Sequence, residues 1–328
     1  MKIRYFRAKI FEGLVTGGLL LAVWLVSATQ AQTSRAATAS AYIDRASAWV
    51  AKGELNRAIA DFDLAIASDP TYALAYYNRG VAKHLKGDLD SALTDYDRAI
   101  QLDPRLVQAY VDRSGIRYAR GDLDGVISDN AKAIELDPRL PQAWNNRGLA
   151  RRDKGDLSGA LADFDRSIKL NPKFAETWSN RGTTRFFKGD LDGALDDHNR
   201  SIKLNPSFAG AYCDRGAICH SKGDLDKALA DYNHAIELNP ALAVAYFNRA
   251  LAWRDKGDWA LAVADFNQAI ALNPNHAWAY AERGLVHLRQ GMESEAEKDF
   301  AQCLALDKSL TAWLKRRIKE LRWQLAAK

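Results

Sequence analysis

The chain repeats its apolar and polar positions with one long, fixed period. Glycines at 53, 87, 121, 155, 189, 223, 257 and 291 recur every 34 residues, and prolines at 70, 104, 138, 172, 206, 240 and 274 keep the same step. Pro141 alone stands outside the proline series, and Lys308 occupies the place of an eighth. A strict period of this size marks a solenoid of stacked supersecondary units. Setting each proline at position 32 places repeats at 39, 73, 107, 141, 175, 209, 243 and 277. The pattern predicts two helices in each. Helix A covers about positions 2 to 14, with an aromatic at position 4 in every repeat: Tyr42, Tyr76, Tyr110, Trp144, Trp178, Tyr212, Tyr246 and Tyr280. Glycine at 15 can take the left-handed conformation that closes a helix, and Lys or Arg at 14 in seven repeats suits the negative helix end. Helix B follows at once, with Asp or Glu at 16 in seven repeats expected to cap its free amides. Asp or Asn at 31, followed by proline, stops it.

With these features stand Gly80, Gly148, Gly182, Gly216 and Gly284 at position 8, a small residue at 20, and a ring often at 24 (Phe62, Tyr96, Phe164, Tyr232, Phe266, Phe300). Together they resemble the tetratricopeptide repeat, in eight in-phase copies over residues 39–310. The resemblance implies an all-α fold, a right-handed superhelical solenoid of helix-turn-helix repeats, with helix A lining a concave surface and helix B the convex one. Ala46 and Ser114 replace the position-8 glycine, Val126 replaces the small residue at 20, and Asn130 and His198 replace the ring at 24. Looser packing is therefore expected in the third and fifth repeats.

One helical hairpin cannot bury its apolar face without neighbours on both sides. Residues 311–328 put Leu314, Ile318, Leu321 and Leu325 on one face, with Lys315, Arg316, Lys319, Arg322 and Lys328 elsewhere. This reads as a capping helix for the last repeat; the other reading is a basic amphipathic helix on an anionic membrane.

Arginine at position 7 (45, 79, 113, 147, 181, 215, 249, 283) and aspartate at position 23 (61, 95, 129, 163, 197, 231, 265, 299) occur in all eight repeats. The economical explanation is an internal ladder of ion pairs, within or between repeats, rather than a ligand site. Position 6 is the functional candidate: Asp44, Asn78, Asp112, Asn146, Asn180, Asp214, Asn248 and Glu282. In the family this position faces the groove, and Asn can both donate to and accept from a peptide backbone. The family's groove positions 5, 12 and 13 add Tyr77, Phe247, His84, Tyr118, Phe186, His220 and Phe187. The implied ligand is an extended peptide or a helix of a protein partner. The clamp for acidic chaperone C-termini, which needs Lys at 2 and 5, Asn at 9 and Arg at 6, is not present.

A length of 328 residues suggests about two ordinary domains, an expectation the repeats overrule. The net charge of +5 comes from the two ends, since residues 39–310 carry 35 basic against 39 acidic residues. A nucleic-acid partner is therefore not expected. Lys2, Arg4, Arg7 and Lys9 precede the apolar run Leu14 to Val26, and Thr29-Gln30-Ala31 has small residues at −3 and −1 of a cleavage site. Residues 1–31 read as a secretory signal peptide, with an uncleaved membrane anchor as the alternative and residues 32–38 as a linker. The expected location is the periplasm or outside the cell. The three cysteines do not form a disulfide framework: Cys213 and Cys219 fall on different faces of one helix, and Cys303 replaces a small buried residue. No hydrolase elbow, phosphate loop, zinc motif or Cys-x-x-Cys occurs, so neither enzyme activity nor a cofactor or metal is expected. The chain reads as a binding scaffold of the cell envelope. The alternative is a structural, assembly or accessory subunit that acts through its ends or convex face.

Overall fold

The computed structural model describes residues 37–327, so the segment expected to be a signal peptide or anchor lies outside the described residues. The chain divides into two compact units, Met1–Ala150 and Arg151–Lys328. In the first unit the helices are α1 (37–51), α2 (Leu55–Ser68), α3 (Ala73–Lys86), α4 (Leu89–Leu102), α5 (Val107–Ala119), α6 (Leu123–Leu136) and most of α7 (Pro141–Asp153). The second holds α8 (Leu157–Leu170), α9 (Ala175–Phe187), α10 (Leu191–Leu204), α11 (Ala209–Ser221), α12 (Leu225–Leu238), α13 (Ala243–Lys256) and α14 (Trp259–Leu272). It ends with α15 (Ala277–Arg289), α16 (Glu293–Leu306), a short 3₁₀ turn Lys308–Leu310 and α17 (Thr311–Ala326). No strand occurs among the described residues. Odd-numbered helices through α15 are helix A of each repeat and even-numbered ones are helix B. The fold is an all-α solenoid of helix-turn-helix repeats.

The punctuation acts as its chemistry requires. Every position-15 glycine lies at φ between 75° and 93°. This left-handed backbone reverses the chain between helices A and B and is costly for any residue with a Cβ. Asp88, Asp122, Asp156, Asp190 and Asp224 accept a bond at 2.9–3.3 Å from the amide three residues on. Glu54 and Asp258 do not, which corrects the expectation that all seven acidic residues cap. Glu54 carries one more methylene than the Asp caps and pairs loosely with Arg57 instead; nothing in the structure explains Asp258. At position 31 each Asp or Asn accepts from the amide two residues on, at 2.9–3.2 Å. That turn holds the chain as it leaves helix B.

Small residues let the helices approach closely. Position 3 in repeats two to eight is Ala or Thr, position 27 is Ala, Ser or Cys, and all are fully buried. Ala65 packs with Ala75, Ala133 with Ala143, and Ala235 with Ala245, so position 27 of one repeat meets position 3 of the next. Where both are hydroxyls, Ser167 and Thr177, they hydrogen-bond at 3.2 Å. The position-24 rings fill the space within a repeat, and Tyr96 and Tyr232 lie against Gly80 and Gly216.

The arginine ladder is present and reaches further than expected. In the seven repeats whose pair falls within one unit, Nε and Nη2 of the position-7 arginine hold both oxygens of the position-23 aspartate, sixteen residues on. The third arm, Nη1, reaches position 25 of the preceding repeat at 2.6–2.8 Å: Asp63, Asp97, Asp165, Asn199, Asn233 and Asn267. Each guanidinium also lies 4.8–5.6 Å from the position-4 ring of its own helix. One side chain therefore ties helix A to helix B and to the previous repeat, which explains its recurrence on structural grounds.

After the last repeat, α17 packs against α15 through Leu314, which is buried with Ala277, Ala281, Cys303 and Leu310, and through Trp313 and Ile318. Leu325 and Trp323 remain exposed. None of the described helices is long and apolar enough to cross a membrane. All three cysteines are buried and free.

Candidate functional site

The residues singled out in the sequence lie on helix A, and in each unit neighbouring A helices bring them together. Contacts recur near the repeat length. Tyr77 Oη donates to Asp112 Oδ2 at 2.8 Å, and Thr183 Oγ1 donates to Asp214 Oδ2 at 3.0 Å. Asn248 Nδ2 lies 3.6 Å from Cys213 Sγ, and His220 Nε2 lies 2.8 Å from Asp255 Oδ2. Arg254 Nη1 donates to Glu282. In the second unit positions 5, 6, 9, 12 and 13 of successive repeats thus form one face, and in the first unit positions 5 and 6 meet in the same way. Side chains of this length meet across repeats only when the A helices lie side by side, so position 6 lies on the A-helix face.

The predicted residues occupy this face in different states. Asp44 and His84 are exposed, and Asn78, Asn146, Asn180 and Asn248 are partly exposed. Asn146 Oδ1 accepts from Asn145 Nδ2 at 3.4 Å. Asp112 accepts from both Tyr77 and Gln108. Burial raises the Asp214 carboxyl above the usual range, opposed by the Thr183 hydroxyl and the Arg152 charge. Asp112 and Asp214 are held by neighbouring side chains, and Asn146 and Asn248 also have side-chain partners, while all four Asn remain partly exposed. Phe186 and Phe187 have ring centres 6.0 Å apart, and Phe187 is 60% exposed. Phe247 lies tilted against Phe266 and His276, with ring centres 5.9 and 4.6 Å away. Tyr118 borders a small notch with Asn146 and Leu149.

Sequence reasoning did not single out Thr183, Cys213, Arg254 or Asp255. The signal that would find them is a complementary pair at a spacing of one repeat plus or minus a few residues, a period set by stacking rather than by a helix turn. Burial pushes the Cys213 thiol up to about 12, with Asp214 and Asp231 adding to the rise, which disfavours its thiolate. Near the end of the second unit, Arg254, Trp259, Glu282, Arg289, Arg317 and Leu321 border a cavity of about 200 Å³. Among the described residues no group of three His, Cys, Asp or Glu side chains is placed to hold a metal ion.

Comparison with known proteins agrees with this geometry. The family model described as "TPR repeat" matches residues 46–87, 216–253 and 250–291. Models described as "Tetratricopeptide repeat" match 73–106, 141–174 and 279–310. A search of curated proteins found no match to the sequence. Among solved structures, a chain of the APC/C hetero-tetramer Cut9–Hcn1 superposes with a TM-score of 0.67 at 16% identity, covering 81% of this chain and 52% of that one. This chain therefore spans about half the length of that relative. A tetratricopeptide repeat protein from Parabacteroides merdae superposes at 0.63 with 18% identity, covering 81% of this chain and 99% of its own. PilF of Pseudomonas aeruginosa superposes at 0.57 with 17% identity, covering 65% and 96%. At these identities the neighbours speak for the fold, and the family models, whose matches together span more than half of the chain, speak for the sequence. The chain belongs to the tetratricopeptide repeat family, whose members are scaffolds for protein–protein interaction.

Proposed function

We propose that the chain is a non-enzymatic scaffold of the cell envelope that binds an extended peptide or a helix of a partner along its A-helix face. The observation that carries this reading is the ladder of partly exposed Asn and Asp side chains at position 6, flanked by rings, on helix-A faces tied together within each unit by the protein's own hydrogen bonds. A face held in this way is already ordered before it binds, which lowers the cost of association. Amides at multiples of the repeat length can grip a backbone of any sequence, and Phe187 and Tyr118 offer rings for its side chains. Residues 1–31 support export, with the body released to the periplasm or held at the membrane by an uncleaved segment.

The test is affinity capture from an envelope extract with the purified chain and with a variant carrying Asn146→Ala, Asn180→Ala and Phe187→Ala, its helix content verified by circular dichroism. The folded variant is expected to lose the partner that the parent retains. Equal recovery by both proteins would move the binding surface to the convex face or the ends.

A further inference from the structure

Most glycines inside the helices have a packing reason. A Cβ at Gly80, Gly182, Gly216 or Gly284 would come within 2.6–2.8 Å of the ring at position 24, and at Gly125, Gly159 or Gly193 it would strike the capping Asp carboxylate. Gly115 is different. It lies in the middle of α5 with a helical backbone, is exposed, and a Cβ there would meet no atom within 4 Å. A glycine inside a helix costs about 0.5–1 kcal/mol relative to alanine. Nothing in the packing of the fold offsets that cost.

What the missing side chain leaves open is a notch in the A-helix face of about 110 Å³, lined by Ser114, Gly115, Tyr118, Val126, Asn146 and Leu149. It lies beside the repeat that departs from the pattern. The ring at position 24 is replaced by Asn130, fully buried and bonded to the Val126 carbonyl, and the glycine at position 8 by Ser114, which donates to the Val111 carbonyl. No charged residue lines the notch, so a charged group placed there would lose its hydration without a partner. A space of this order, lined mainly by apolar and uncharged groups, suits one branched aliphatic side chain.

We infer that the notch is a subsite for a single Val, Leu or Ile side chain of a bound peptide, with Asn146 at its rim available to the peptide backbone. The inference rests on the groove reading above and adds a specificity element to it: the peptide binds in one register, set by the aliphatic residue seated at Gly115.

A displayed peptide library selected on the full-length chain provides the probe. Selected peptides are expected to share one aliphatic position. Gly115→Leu fills the notch, keeps or raises the thermal midpoint through better helix propensity, and is expected to weaken those peptides at least tenfold. Replacing the shared aliphatic by glycine should cost a similar factor on the parent and little on Gly115→Leu. Leu149→Ala, which widens the notch, should shift selection toward Phe and keeps the inference testable if Gly115→Leu does not fold. Peptides weakened by Asn78→Ala or Asn180→Ala, yet bound equally by parent and Gly115→Leu, would overturn the notch and leave the groove standing. Peptides indifferent to every change on this face would overturn both.

Discussion

Replacing Asp129 by Ala is expected to destabilise the protein by about 3–5 kcal/mol, the range for leaving buried charge without its partner. Asp129 has a side-chain exposure of 3% and receives Arg113 from two nitrogens and Arg117 from a third. Arg113 is itself only 13% exposed and would keep a single partner, Asp97, on the preceding repeat. The loss should thus be felt on both sides of the third repeat, because the same guanidinium joins it to the second. Urea unfolding followed by far-ultraviolet circular dichroism measures it. As a contrast, Asp90→Asn removes the exposed partner of Arg120 and should leave the midpoint close to the parent, since exposed pairs contribute at most about 1 kcal/mol. Equal midpoints for Asp129→Ala and the parent would reduce the ladder to ornament.

The second large effect is a loss of stability on mild acidification, centred on His198. This residue takes the ring position of the fifth repeat, is fully buried, and has Nε2 without a partner. Its Nδ1 lies 3.5 Å from Ser179 Oγ. Burial, aided by the Arg215 charge, lowers its pKa from 6.5 to about 4. The fold therefore favours the neutral imidazole, while the unfolded chain takes up a proton below about pH 6.5. His198 costs nothing in proton linkage above that pH; stability falls as the pH drops from 6.5 toward 4 and levels off below. At about 1.4 kcal/mol per unit, the loss is about 3 kcal/mol. His198→Phe restores the ring found at this position in six other repeats. It should be more stable than the parent at pH 7 and lack this component of the pH dependence. Subtracting the two pH profiles removes the carboxylates common to both, and a difference that stays flat between pH 7 and 4 would refute the assignment.

Much of this architecture was legible in the sequence because it is local. Gly53 through Gly291 announce left-handed turns, Asp or Asn at 31 announces the exit from helix B, and both follow from backbone chemistry within a few residues. The pairing of the arginine at position 7 with the aspartate at position 23 was legible because two complementary charges recur in every copy. Its third arm to position 25 was not, since Asp63 and Arg79 meet only through the angle at which one repeat stacks on the next. The same holds for the site. Position 6 could be placed on the A-helix face from the family pattern, yet the engagement of Asp112 by Tyr77 and of Asp214 by Thr183 depends on how A helices lie beside one another. Ser114, Val126 and Asn130 led to an expectation of looser packing in the third repeat, whereas the structure buries all three and shows an open notch at Gly115, on the A-helix face.

The central claim is that partners bind the A-helix face. Site-specific photo-crosslinking tests it most directly, with a benzophenone side chain at Phe187 on α9 in one variant and at Lys203, exposed on α10, in another. Irradiation in the envelope should yield a discrete adduct from position 187, abolished by Asn180→Ala, and none from position 203. An adduct from 203 alone would contradict the account and assign binding to the helix-B side.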